Sequence, residues 1–201
     1  MTPKFPKAEI PREYFLILAQ MVAGTSWLPH PETVSELGHA VFPSLRARKE
    51  RPRLSHFMEN GEPIGMYDDN VTPAWALFWS HGMIKGTKPK GWMIAHIWSE
   101  TDCLDSYTNL ANLALIPECF GTLTDKNGPL TMFLRWHAWE AYHWKPASAP
   151  QPEKPEDYEK VSWRYLEKTG NPKELIRYMV NQSDNQRTRI LRLIMERNGM
   201  L

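Results

Sequence analysis

Apolar residues along this chain follow two rhythms. Before about residue 90, and again after residue 129, they gather in long stretches that suit helices. Between these limits, short runs rich in aromatic and branched side chains suit strands. The first stretch, Pro11 to Ala23, is apolar around most of its circumference, with Pro11 fitted to a first helical turn and Gly24 to a stop, so it predicts a core helix. A shorter helix is expected from Glu32 to about Ala40. Residues 52–73 read as turn-rich, with Asn60-Gly61 as the strongest turn signal, and Pro73 opens a further helix, PAWALFWSH.

The rhythm changes at Gly91. Trp92 to Trp98 reads as a strand carrying His96 near its end, and a polar loop through Ser99, Glu100, Thr101, Asp102, Asp105 and Ser106 follows. Asn109 and Asn112 lead into a second short strand, Leu113 to Ile116, and Pro117 starts a short helix from Glu118 to about Leu123. Leu130 to about Trp144 is a helix bounded by Pro129 and Pro146. The prolines of 146–157, PASAPQPEKPED, disfavour both helix and strand and read as a linker. Beyond them helices are expected at Tyr158–Lys168, from Pro172 to about Asn181, and at Ser183–Arg197. The organisation expected is therefore a helical domain over 1–145, a linker over 146–157 and a helical tail over 158–201 that forms a small bundle, packs back on the domain or joins a second copy.

Composition narrows this little. The 201 residues suffice for a real core, and the formal net charge of +1 does not by itself announce a nucleic-acid binder, because affinity for phosphates rewards clustered cations. Three clusters exist: Arg46, Arg48, Lys49, Arg51 and Arg53; Lys85, Lys88 and Lys90 just before the His96 strand; and Arg187, Arg189, Arg192 and Arg197. Each is a solvated face or a phosphate contact, and Lys85 to Lys90 is favoured for phosphate by its place beside His96. The two cysteines, Cys103 and Cys119, make no disulfide scaffold, and without a signal-like leader or a membrane-length apolar run a cytoplasmic protein is expected. No phosphate loop, dinucleotide fingerprint or serine elbow occurs.

The stretch from Gly91 to Pro129 resembles the finger of the HNH (ββα-metal) nucleases. One branch of that family reads Ala-His-Ile, then after a loop Asn-x-Leu-x-Leu, then a helix His and an Asp. Ala95-His96-Ile97, Asn112-Leu113-Ala114-Leu115 and Asp125 match in register, whereas Gly121 stands where the helix His would be and Ala95 where many members carry a ligand. The resemblance implies an α+β protein, mostly helical, with a small ββα finger over about 91–129. It further implies a metal-dependent nuclease in which His96 is the general base, Asn112 braces the loop and a divalent ion stabilises the leaving oxygen.

With both usual ligand positions apolar, the oxygen donors open to Mg²⁺ or Mn²⁺, with Zn²⁺ a further option, are Asp125 and Asn127, the loop residues Asp102 or Asp105, and the pair Asp68 and Asp69. Asp68, Asp69 and Asn70 equally suit capping of the helix after them. His137 is the more suitable of two helix histidines to replace the missing ligand, since His143 lies six residues on and cannot share its face. The partner expected is nucleic acid, DNA ahead of RNA, and no membrane. An HNH-like scaffold that binds nucleic acid or protein without cutting is the alternative, and a small-molecule enzyme using the Trp-rich region a more distant one.

Overall fold

The computed structural model describes residues 10–84, 88–125 and 128–200. It is an α+β structure in which helices surround two small sheets. After a 3₁₀ turn at Arg12–Tyr14, helix α1 (Phe15–Thr25) leads to α2 (Pro31–Leu37). The His30 side chain caps α2 by accepting from the Glu32 amide, Pro31 occupies its first turn, and Gly38 ends it in the left-handed conformation at φ 68°. The first sheet then forms from β1 (Ser44–Arg46), β2 (His56–Glu59) and β3 (Glu62–Asp68) in the order β1-β3-β2.

That sheet corrects the expectation of a turn-rich segment over 52–73. Asn60 and Gly61, at φ 49° and 82°, make the two-residue loop of an antiparallel hairpin that pairs Glu59 with Glu62. Positive φ at both central positions matches the strand twist, and Asn-Gly tolerates it best. β1 adds to β3 in parallel, Arg46 opposite Asp68. Helix α3 (Val71–Trp79) starts two residues before the expected Pro73.

The second sheet is the antiparallel pair β4 (Trp92–His96) and β5 (Leu113–Pro117), with His96 opposite Leu113. The connection carries a short helix α4 (Leu104–Tyr107), and β5 runs on through a 3₁₀ turn at Glu118–Phe120 into α5 (Gly121–Thr124). Trp27 exchanges two backbone hydrogen bonds with Leu115, covering the free edge of β5. Leu28 in turn accepts from the Leu166 amide and donates to the Arg164 carbonyl. The helix expected at Tyr158–Lys168 is therefore replaced by a 3₁₀ turn at Tyr158–Lys160 and an extended segment. Val161, Trp163 and Tyr165 alternate with polar residues there, a strand-like period.

Helix α6 (Thr131–Tyr142) follows the hairpin, residues 146–157 contain neither helix nor strand, and α7 (Pro172–Gln182) and α8 (Gln186–Arg197) end the chain. Asn171 caps α7, and Asn185 with Thr188 forms a capping box on α8. These last helices are not a free tail. Ile176, Val180, Leu191 and Ile194 belong to the same buried cluster as Val34, Met66, Leu77 and Leu113, so α7 and α8 complete the core of the segment before the prolines. Arg187, at the start of α8, adds an ion pair to buried Asp68 at 2.7 Å. Among the described residues no helix is long and apolar enough to cross a membrane.

Candidate functional site

His96 is the last residue of β4, and the loop after it folds back over its ring. The imidazole Nε2 lies 3.0 Å from the carbonyl oxygen of Tyr107, and the two rings stack 5.2 Å apart with planes 4° from parallel. A carbonyl can only accept, so Nε2 carries the hydrogen and the lone pair sits on Nδ1. Among the described residues no hydrogen bond reaches Nδ1. His96 therefore has one nitrogen committed to holding the ring and one available for chemistry.

Asn112 keeps this arrangement in place. Fully buried, it accepts from the Trp98 amide at 2.7 Å and donates to the Ser106 carbonyl at 2.9 Å, clasping the loop at both ends. The Ser106 carbonyl is adjacent along the chain to the one that orients His96. Asn112 is not among the residues that line the pocket around His96.

Two further contacts bring a distant segment to His96. The Thr108 hydroxyl donates to the Phe42 carbonyl at 2.7 Å and accepts from the Phe42 amide at 2.9 Å, and the Arg46 amide donates to the Thr101 carbonyl at 3.0 Å. β1 is thereby laid along the loop. The result is a pocket of about 410 Å³ lined by His96, Asp125, Arg46, Arg48, Asn70 and Met93, among others. The Arg46 guanidinium is held by the Asn70 side-chain oxygen, which also accepts from the Tyr107 hydroxyl at 3.3 Å. Asn70 itself is left-handed at φ 70°, and its amide donates to the same hydroxyl at 2.9 Å.

The electrostatics follow from this packing. Burial pushes the His96 imidazole down to about 4, the Tyr107 carbonyl works in the opposite direction, and the charges of Arg46 and Asp125 oppose each other across it. At pH 7 the ring is neutral. Burial likewise holds the Tyr107 hydroxyl protonated well above its ordinary range, so it stays a hydrogen-bond donor to the Asp68 carbonyl and Asn70.

Of the residues singled out from sequence, His96 and Asp125 share the pocket, and Asn112 braces its wall. Asp68 and Asp69 are elsewhere engaged. Asp68 accepts from the Thr72 amide at 2.6 Å and pairs with Arg187, while Asp69 pairs with Arg53 at 2.8 Å and with Arg187 at 3.1 Å. Capping of α3 and docking of α8 therefore account for them, and neither lines the pocket. Lys88 pairs with Glu118 at 2.7 Å, Lys90 is exposed, and Lys85 and Asn127 lie outside the described residues.

His137 is corrected too. Its two nitrogens bond the hydroxyls of Tyr158 and Tyr165 at 2.6 and 3.1 Å within a buried aromatic cluster, so it replaces no ligand. The thiols of Cys103 and Cys119 are free. Arg46 and Asn70 are the residues that sequence reasoning missed as site members. The basic run holding Arg46 was visible, but its proximity to His96 arises from tertiary hydrogen bonds.

Among the described residues no group of three His, Cys, Asp or Glu side chains comes together to hold a metal ion. A side chain at Gly121, where the resemblance would place a helix ligand, would meet the Met93 sulfur at 2.8 Å. Asp125 is the pocket's carboxylate, and His96, Ser99 and Thr101 also line it. A lone carboxylate meets the needs of Mg²⁺, which keeps most of its waters and takes one or two carboxylates plus substrate phosphate, better than those of a closed zinc site. No protein-family model matches this chain, and neither a curated protein nor a solved structure matches it.

Proposed function

We propose that the pocket at the end of β4 hydrolyses phosphodiester bonds of nucleic acid, DNA ahead of RNA, as a divergent HNH-type nuclease. The observation that carries this reading is that His96, its Nδ1 unpartnered, lines one pocket together with Asp125 and Arg46. A water beside His96 gives its proton to Nδ1 as its oxygen bonds to phosphorus and the sugar oxygen leaves on the opposite side. Arg46 offers fixed N–H donors to a non-bridging oxygen, where negative charge grows in the transition state. Asp125 would hold a divalent cation, which when bound supplies charge stabilisation for the leaving oxygen.

The packing of Met93 against Gly121 favours a second reading, a scaffold that binds nucleic acid without cutting it, because it leaves Asp125 without a helix ligand beside it. Incubation with supercoiled plasmid, linear DNA and RNA, in Mg²⁺, Mn²⁺ or EDTA, separates the two. Metal-dependent cutting supports the nuclease. Binding with no cutting in any metal supports the scaffold, and neither binding nor cutting contradicts both.

A further inference from the structure

Arg48, which lines the same pocket, and Arg51 exchange two backbone hydrogen bonds of 3.0 Å each across a two-residue loop, Lys49-Glu50. Directly opposed residues in such an antiparallel pair project to one face. Two guanidinium groups are thus fixed side by side, an arrangement that repulsion disfavours unless an anion lies between them. Asp102 supplies that anion. Its carboxylate meets Arg48 at 2.6 Å and Arg51 at 3.7 Å, and all three side chains are about half exposed. Arg51 also lies over the Tyr67 ring, 5.8 Å from its centre, which keeps its stem in place.

Resting on the phosphodiester reading of the His96 pocket, we propose that Arg48 and Arg51 form a phosphate fork. It grips a second phosphate of the same nucleic-acid strand, and Asp102 occupies the fork until the strand arrives. The substrate class is then a polynucleotide with at least two backbone phosphates, not a mononucleotide ester. Two features support exchange of Asp102 for phosphate. Exposed ion pairs are weak, so a phosphate that engages both guanidinium groups at once displaces a carboxylate that fully engages only one. The loop carrying Asp102 is independently tethered through the Arg46 amide and the Thr101 carbonyl, so loss of the ion pair does not release it.

The test is binding of a fluorescein-labelled single-stranded oligonucleotide to the full chain in EDTA, where no cutting occurs, across a series of salt concentrations. Asp102→Asn should tighten binding roughly five-fold at low salt, because an opposing charge is gone. Arg51→Gln should weaken it by about the same factor and lower the magnitude of the log–log salt slope by about 0.7, the share of one phosphate contact on a single strand. Both variants should unfold at the wild-type temperature. Wild-type binding with no tightening in Asp102→Asn and no change of slope in Arg51→Gln would overturn the fork alone. No binding by the wild-type chain at low salt would overturn the fork, while the nuclease reading stands or falls separately on metal-dependent cutting of plasmid, linear DNA or RNA.

Discussion

The Tyr107 carbonyl lies 3.0 Å from the Nε2 of His96, while the ring of the same tyrosine stacks on the imidazole. One residue therefore sets both the tautomer and the tilt of the candidate base, leaving Nδ1 without a hydrogen-bond partner among the described residues. Because burial holds His96 at about 4, its ring is neutral throughout the physiological range. Cleavage measured as kcat/KM should rise as pH climbs through about 4 to 5 and show no further histidine step near 6.5. A rise centred on 6.5 would mean that the ring titrates as an exposed group and that the stack does not govern it.

Asn112 carries two hydrogen bonds for the loop and is fully buried. Asn112→Ala leaves the Trp98 amide and the Ser106 carbonyl without partners in a dry site, a loss of about 2–4 kcal/mol of stability. It should also lower cleavage by more than that loss of folded protein accounts for, since His96 is then free to tilt. Urea unfolding alongside activity normalised to the folded fraction checks both. Unchanged specific activity would make Asn112 a purely structural residue.

Arg187 joins α8 to Asp68, which is completely buried, and its guanidinium also lies over Trp75, 5.5 Å from the ring centre. Arg187→Met should destabilise the chain by roughly 3–5 kcal/mol, because Asp68 is left as a buried charge without its cation. Arg187→Met combined with Asp68→Asn should recover much of that, as the amide can still accept from the Thr72 amide. Thermal unfolding of the single and double variants measures the difference, and equal loss in both would place the effect in packing of the arginine stem instead.

Three buried histidines make the fold acid-sensitive. His81, His96 and His137 are each pushed down to about 4 by burial, from an ordinary value of 6.5. Above pH 6.5 all three are neutral whether folded or unfolded. Between 6.5 and 4 only the unfolded chain takes up the protons, so stability falls as pH falls through that window, by up to roughly 3 kcal/mol per histidine, and levels off below 4. Urea unfolding at pH 7 and pH 5 should differ by several kcal/mol, with proton uptake on unfolding at the lower pH. Equal stability at the two values would contradict the burial of these rings.

Which parts of this were legible in the sequence follows from what carries them. His96, Asn112 and Asp125 lie on one stretch, and it was the resemblance to the HNH finger that singled them out; the strand, loop and strand between them were legible from local composition. The helix starting at Pro172 was legible because its proline and cap are local chemistry, whereas α2 begins one residue before the expected Glu32 and α8 three residues after the expected Ser183. The β2–β3 hairpin was missed although Asn60-Gly61 marked its loop, since β2 is only four residues long and mostly exposed. Val161, Trp163 and Tyr165 form an extended segment because Leu28 pairs beside them, a partner far away in sequence. Arg46 and Asn70 reach His96 through the β1–β3 pairing and the Thr101 and Thr108 hydrogen bonds, which no local pattern encodes.

The most direct test of the account is single-turnover cleavage of plasmid DNA at pH 7 in Mg²⁺, with wild-type chain, His96→Ala and Asp125→Asn prepared in parallel. The account predicts cutting by the wild type that EDTA abolishes and that His96→Ala slows by about 10²–10⁴-fold, the usual contribution of a general base, with Asp125→Asn demanding more Mg²⁺ for its residual rate. Metal-dependent cutting that persists at the wild-type rate in His96→Ala would contradict it, because the pocket around His96 would then not be where the bond breaks.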